Sequence, residues 1–285
     1  MTHRTGEPIA ELTEETMVQA IAALLTVALT GTGNAAPRCV DSPPPSDYVY
    51  TFRATGDSDK DPTSGTVRAH GDRMRIDMDK NHSGEYILLT DGGQKMTSVH
   101  PDKKEVDQMS VPKFEHIIGT SLKAVSPMVK FNVLNDRIGS ERIGAGAKML
   151  GYATDQIRIT EQFDVHIVAL GFNAGTEHHT VVTDYWVSPG LYLGDNPLLA
   201  LLEHAGTAMA QTDADFVQSE ASARASALRG TPLRTVVKET TVDDKGKSNT
   251  TTRTIEITSL NIGAQSAALF EIPSGYRIRR NSFTT

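Results

Sequence analysis

Three histidines and an aspartate between residues 166 and 184 carry side chains that could bind a transition metal. His166 and Asp184 fall in segments with strand patterns, and Glu177-His178-His179 directly precedes the segment that contains Asp184. On adjacent strands, His166 and His179 could face each other and share a metal with Asp184. Neighbouring residues of a strand point to opposite faces, so only one of His178 and His179 could serve such a site. Exposed strand histidines without a metal explain the same spacing, and we favour that interpretation.

The sequence contains none of the common catalytic motifs. A nucleophile elbow, a phosphate-binding loop, a dinucleotide fingerprint and a two-histidine zinc helix are all missing. Glu161 and Asp164 have no partner pattern for acid–base catalysis. The single cysteine, Cys39, excludes an intrachain disulfide and a two-cysteine metal site. We therefore expect no enzymatic activity and no cofactor, and a metal-dependent enzyme is the weakest of three functional hypotheses.

The composition is that of an ordinary soluble chain with an acidic balance. Its 285 residues carry a formal net charge of -7, and 38% of them are hydrophobic, which is enough for a sizeable core. Lysine and arginine form no cluster of the kind that follows nucleic-acid phosphates. We expect a monomer that does not bind nucleic acid.

Residues 65–109 predict a β-meander, which positions most of the remaining candidate residues. Met74, Ile76 and Met78 alternate with charged neighbours, the period-two pattern of a strand with one apolar face. Turn residues such as Gly71-Asp72 and Asp91-Gly92-Gly93 separate this strand from the next ones. We expect four or five short strands in this region.

Strand patterns resume after residue 128 and are predicted to join the first meander in a single curved sheet. The segments are Val129 to Leu134, Glu141 to Gly144, Ala153 to Thr160, Phe163 to Leu170, Thr180 to Val187, Leu233 to Val242 and Asn249 to Ser259. Two helices are expected to cover the sheet. The apolar spacing of Val111 to Ser126 predicts the first, and the second begins at Asn196-Pro197 and continues to Leu228.

Apolar and aromatic residues on these strands are candidates for lining a ligand cavity. Methionine adapts to variable apolar surfaces, and the concave side of a curved sheet can leave space for a flexible chain. The candidates are Tyr50, Phe52, Met74, Ile76, Met78, Leu88, Met96 and Trp186. A filled core is the alternative, because methionines at strand spacing pack cores more often than they line ligand sites.

The first 46 residues are predicted to precede the folded domain. An apolar run from Ala20 to Leu29, followed by small residues up to Ala36, resembles the hydrophobic and cleavage regions of a secretory signal. A short amphipathic helix packed on the domain is the alternative. The pattern predicts a signal-like segment at 1–36, a proline-rich linker at 37–46 and one domain at 47–285. We expect export to the periplasm or another part of the cell envelope.

Short motifs occur in a defined order along this domain. They are Gly65-Thr-Val-Arg with Arg73-Met-Arg-Ile-Asp, then Tyr86 to Gly92, then Tyr185-Trp-Val-Ser, then Phe270-Glu-Ile-Pro-Ser-Gly-Tyr276. Together they resemble an uncharacterised family of exported bacterial domains that is similar to the LolA, LppX and RseB superfamily, the outer-membrane lipoprotein carriers and their relatives. The resemblance implies a LolA-like half-barrel with an apolar concave side under helices. It also implies a cavity for acyl chains or, in one branch, a stress sensor, and it brings no catalytic residues.

The sequence therefore predicts a mainly β protein of the α+β type, a curved antiparallel half-barrel with two helical covers. The expected function is non-catalytic binding of a lipid, or of the acyl chain of a lipoprotein, in the concave face of the sheet. The alternative is a protein-interaction or envelope stress-sensing module with a filled core, whose partner would be another envelope protein.

Overall fold

The described part of the chain forms one open, curved sheet of twelve strands. The computed structural model describes residues 45–57, 62–79, 83–110, 129–169, 172–193 and 214–279. The mainly β class and the single curved sheet expected from the sequence are thereby confirmed. The signal-like segment, most of the linker and the expected helix at Val111 to Ser126 lie outside the described residues.

The strands follow one another as neighbours within two meanders, which meet between the first strand and the eleventh. The strands are β1 (Asp47–Gly56), β2 (Thr63–His70), β3 (Arg73–Met78), β4 (Tyr86–Thr90), β5 (Lys95–His100), β6 (Glu105–Ser110), β7 (Val129–Ala145), β8 (Asp155–Ala169), β9 (Phe172–Ser188), β10 (Thr231–Asp243), β11 (Ser248–Ile262) and β12 (Arg277–Ile278). Their order in the sheet is β12-β6-β5-β4-β3-β2-β1-β11-β10-β9-β8-β7. Every pairing is antiparallel except that of β12 with β6.

The first meander agrees with the expectation from the sequence. Strands β2 to β6 correspond to the four or five short strands predicted between residues 65 and 109, and β3 pairs Met74 with Leu89 and Ile76 with Ile87 on β4. Gly71 has a φ of 58° at the turn between β2 and β3. Glycine reaches this left-handed conformation at no steric cost, which makes the turn readable from the sequence.

The second meander differs from the expectation, because its strands are longer and fewer. Val129 to Leu134 and Glu141 to Gly144 belong to one strand, β7, and the two predicted segments between Ala153 and Leu170 belong to β8. Irregular pairing in β7 lies between Leu134 and Arg137, where Asn135 has a φ of 56°. A β-bulge inserts an extra residue without ending the strand, so the residues that suggested turns here mark bulges.

The two faces of the sheet differ along its length. We call the side that carries Met74 and Ile76 the Met74 face, and the side that carries Arg75 and Asp77 the Arg75 face. Cross-strand pairs place both residues of a pair on one side, so each face can be followed through the register. Tyr50 is paired with Leu260, and Thr235 with both Ile255 and Tyr185, all on the Met74 face.

The main core covers the Met74 face of the first meander. Val67, Met74, Ile76 and Leu89 are at most 1% exposed. Residues that follow β7 and β9 complete this core: Leu191 and Leu193 are buried in it, and Met149 and Tyr152 pack against it. Segments that adjoin one edge of the sheet therefore fold back over the strands of its other half.

The C-terminal segment covers the Arg75 face of the first meander. Phe270 is 2% exposed and stacks on His70, with 5.6 Å between the ring centroids. Tyr276 packs against a second apolar cluster formed by Tyr86, Leu88, Val99 and Val106. The turn at residues 274–275, where Gly275 has a φ of 81°, lies between these two aromatic anchors.

One α-helix, α1 (Ala214–Ala227), lies among the described residues and contacts β7 and β8. It corresponds to the second half of the helix expected from Asn196-Pro197 to Leu228, and the first half, residues 194–213, is outside the described ranges. Gly230 follows the helix, as expected, and β10 begins at Thr231. No helix within the described ranges has the length and apolar content needed to span a bilayer.

Candidate functional site

Six of the eight candidate cavity residues lie together on the Met74 face, but they fill it. Tyr50, Phe52, Met74, Ile76 and Met96 belong to the main core and are between 0% and 7% exposed, and Met78 packs against them. Burial also raises the pKa of the neighbouring Tyr48 above its ordinary value, with a further rise from Tyr50. Among the described residues, the space over β1–β5 is thus occupied by side chains of the protein itself.

Leu88 and Trp186 do not join this group, because both lie on the Arg75 face. Leu88 pairs with Arg75 and packs in the cluster with Tyr86. Trp186 pairs with Arg234, whose guanidinium carbon lies 5.0 Å from the centroid of the indole ring. Strand alternation sends neighbouring residues to opposite faces, so one cavity cannot contain all eight candidates.

A cavity of about 430 Å³ lies at the other end of the Met74 face, among β7, β8, β9 and the end of α1. Small-molecule sites usually occupy about 300–1,000 Å³, so its size is that of a binding site. Its lining consists of Ser140, Glu141, Arg142, Asp155, Ile157, Val187, Pro189, Ala227 and Arg229. Ile157 and Val187 are 8% and 2% exposed and belong to a third apolar cluster, with Ile159, Tyr185 and Leu228.

The cavity combines an apolar part with a charged rim. Ile157, Val187, Pro189 and Ala227 supply apolar surface. Arg142 is 63% exposed at its side chain and donates from Nη2 to Asp155 Oδ1 at 2.6 Å. A guanidinium has five N–H donors, so this bond leaves Arg142 able to contact a ligand, and the exposed Arg229 adds a second cation. The rim thus holds two arginines and two carboxylates, Glu141 and Asp155, and its arginines can meet the anionic end of a ligand that has an apolar body.

A buried ion pair fixes α1 beside the cavity. Arg224 on α1 donates from Nη2 to Glu161 Oε1 on β8 at 3.0 Å, and the side chains are 6% and 5% exposed. Leu228 donates its backbone N–H to the Arg224 carbonyl at 2.9 Å, and its side chain packs on Ile157 and Tyr185. The helix end that carries Ala227 and Arg229 is thereby held against the sheet.

Gly230 lets the chain leave α1 close to the end of β9. It has a φ of 121°, and a Cβ at this position would lie 2.1 Å from the Ser188 carbonyl oxygen. Such a distance is far inside van der Waals contact, so no residue with a side chain fits without backbone movement. Gly230 therefore allows the end of α1 to lie close to Pro189, which lines the cavity.

The residues considered for a metal site do not converge. His166 contacts Thr176, with 3.2 Å between Nδ1 and Oγ1. His179 stacks on Phe163 at 4.9 Å between the ring centroids. Asp184 accepts two hydrogen bonds from Arg158, each of 2.9 Å. The described residues contain no group of three or more histidine, cysteine, aspartate or glutamate side chains placed to hold a metal.

Both carboxylates considered for acid–base chemistry have partners in the structure. Glu161 is bound to Arg224, as described above. Asp164 accepts hydrogen bonds from Asn135 at 2.7 Å and from His178 at 2.6 Å. These two hydrogen bonds, that of Asn135 first, lower the pKa of Asp164 below its usual range. A carboxylate held in its charged form by fixed partners is a structural group rather than a proton donor at neutral pH.

Sequence reasoning did not identify the cavity, because its lining comes from four separate segments. Ser140 to Arg142, Asp155 to Ile157, Val187 to Pro189 and Ala227 to Arg229 become neighbours only through the register of β7–β9 and the docking of α1. One weak signal was present: Arg224 is the single cation in the alanine- and serine-rich α1. A lone arginine among small residues suggests a specific buried partner.

Comparisons with known proteins were made for the whole chain. No protein-family model matches it, and no curated protein sequence matches it. Among solved structures, the chain is similar to the crystal structure of an uncharacterized conserved protein from Thermus thermophilus. The sequence identity is 10%, the TM-score is 0.35, and the match covers 93% of this chain and 99% of the other. At that TM-score the likeness does not bear on function.

Proposed function

We propose that the chain is a non-catalytic protein of the cell envelope that binds an acyl chain, either of a lipid or of a lipoprotein. The single observation that carries this proposal is the cavity of about 430 Å³ between α1 and β7–β9. The acyl chain would lie along Ile157, Val187 and Ala227, and its anionic end would lie near Arg142 and Arg229. The LolA-like half-barrel suggested by the sequence motifs supports the same class of ligand, and the apolar run at residues 20–29 supports export.

Titration with a dansyl-labelled fatty acid tests this proposal, with two variants at one position. Ala227→Trp fills the cavity and should weaken binding at least about tenfold, which corresponds to about 1.4 kcal/mol. Ala227→Ser changes the volume little and should bind like the wild type. Circular dichroism would show that both variants are folded. Equal affinity of the wild type and Ala227→Trp, or no binding by the wild type, would contradict the proposal.

A protein-interaction or stress-sensing module is the second candidate, and the filled core over β1–β5 favours it. Met74 and Ile76 are 0% and 1% exposed, so a ligand cannot enter there without displacing packed side chains. If this candidate is correct, the wild type would not bind the fatty acid, although the protein is folded. The titration therefore separates the two candidates.

A further inference from the structure

Strand β7 forms one edge of the twelve-stranded sheet, and no described strand pairs with its outer side. It has seventeen residues, and its side chains from Leu134 to Arg137 and from Gly139 to Ile143 are exposed. Leu134 and Ile143 are 49% and 44% exposed. Within the part of the chain that the structure describes, the N–H and C=O groups of this outer edge have no strand partner, and such groups can pair with another strand. Edges that avoid such pairing are short, charged, bulged or interrupted by proline. β7 is long and has no proline, its bulges lie outside the stretch from Arg137 to Arg142, and its charges are of both signs.

The charges on β7 are arranged so that the strand is complementary to itself when it runs antiparallel. In a pairing centred on Gly139, Arg137 lies opposite Glu141 of the second strand, and both residues belong to the regular part of β7. A twofold axis repeats this pair, so two opposite-charge pairs form. Centring the pairing one residue away on either side places none of these charges opposite one another. The charge order therefore selects one register, whereas like charges would have prevented pairing.

The backbone around Gly139 is regular and has open space beside it, as a twofold axis at this position requires. Gly139 has no positive φ, and a Cβ added there would have nothing within 4 Å. Between Arg137 and Arg142 the pairing of β7 with β8 is regular, and the irregularities fall on either side of this stretch. The outer edge is thus a short regular strand segment, on which alternate residue pairs can exchange both backbone hydrogen bonds.

The same register continues a row of alternating charges across the Arg75 face. Asp184 on β9 binds Arg158 on β8, and Arg158 lies opposite Glu141 on β7. Arg137 of a second copy would be the next charge in that row. Arg158 and Glu141 then each lie between two neighbours of opposite sign, which stabilises cross-strand pairs.

We propose that β7 pairs antiparallel with β7 of a second copy of this chain, about a twofold axis at Gly139, and joins two sheets into one. This association replaces the monomer expected from composition and does not depend on the proposed ligand. The result is an isologous dimer, in which one patch serves both partners.

Sedimentation velocity at tens of micromolar tests the dimer. Wild-type protein should sediment as a dimer, and Arg137→Glu should be a monomer, because it places two glutamates opposite each other at each of two pairs. The double variant Arg137→Glu/Glu141→Arg restores opposite charges and should recover the dimer. Lys245→Glu, the same charge change in the exposed turn between β10 and β11, is the matched control. A monomeric wild type, or a dimeric Arg137→Glu, would overturn the proposal.

Disulfide cross-linking tests the register directly, in protein whose only cysteine has been removed by Cys39→Ser. Gly139→Cys places two cysteines opposite each other, at a Cα separation of about 4.5–5.5 Å that a disulfide can span. This variant should form a covalent dimer on mild oxidation. Asn132→Cys lies seven residues from the axis, so its two copies would be about 45 Å apart and should not cross-link. Equal cross-linking of both variants would overturn the register.

Discussion

Phe270 joins the C-terminal segment to the sheet through a buried aromatic contact. Its ring is 2% exposed and stacks on His70 of β2. The preceding residue, Leu269, accepts a hydrogen bond from Arg75 Nη1 at 3.4 Å. A short 3-10 helix (Ala267–Phe270) sets the direction of the ring. The Phe270 ring and the Leu269 carbonyl thus connect the C-terminal segment to β2 and β3.

Phe270→Ala should lower the free energy of unfolding by about 3 kcal/mol, because it removes a buried aromatic ring and leaves a cavity. Urea denaturation followed by circular dichroism measures this loss. Ile272→Ala is the control, since Ile272 is 39% exposed in the same segment and should cost little. A wild-type midpoint for Phe270→Ala would mean that the C-terminal segment contributes nothing to stability.

A pair of buried charges holds helix α1 on the sheet. The side chains that the structure describes in its second half are mainly alanine and serine around Arg224. Arg224 and Glu161 are 5% and 4% exposed. Breaking a buried ion pair leaves the remaining charge without a compensating partner, whereas replacing both partners with apolar residues is often neutral.

Arg224→Met should therefore destabilise the protein by about 3–5 kcal/mol, because Glu161 stays buried and charged. The double variant Glu161→Met/Arg224→Met should recover most of this loss, since neither charge of the pair then remains in the interface. Chemical denaturation of the three proteins, analysed as a double-mutant cycle, measures the difference. A double variant less stable than the single one would show that the two charges act through other neighbours.

The sequence predicted best the strands that end in residues with a known preference for turns. Asp243 to Lys247 was expected to be a hairpin turn, and Asp243 Oδ1 accepts hydrogen bonds from the backbone of Lys245 and Lys247 at 3.0 and 2.7 Å. By contrast, the bulges of β7 near Asn135 and Gly144 resemble turns in the sequence. The strand continues through these bulges because it stays paired with β8. The sequence of one strand does not reveal such pairing.

The candidate site was less predictable than the fold, for a related reason. Alternation correctly placed Met74 and Ile76 on one face, but it does not tell whether a face is filled or open. That depends on Leu191, Leu193 and Met149, which lie far away in the chain and pack on the same face. Leu88 and Trp186 were assigned to the cavity by residue type, and the register places both on the other side.

At the scale of the whole molecule, the two meanders meet in the pairing of β1 with β11. Phe52 lies opposite Ile257 at this junction, next to an irregularity between Thr51 and Phe52. The Phe52 ring also closes over Gly65 of β2, where an added Cβ would lie 3.0 Å from it. The main core takes residues from both halves of the chain, so we expect the sheet to unfold as one cooperative unit.

Phe52→Ala tests this cooperativity, because the chain has a single tryptophan, Trp186, and it lies in the other meander on β9. The substitution should cost about 3 kcal/mol and should shift the urea midpoint of Trp186 fluorescence as far as that of the far-ultraviolet circular dichroism. Arg53→Ala, an exposed position on the same strand, should shift neither. If the circular dichroism midpoint falls while the Trp186 midpoint stays at its wild-type value, the halves unfold independently, and β1–β11 pairing joins two separate folding units rather than one sheet.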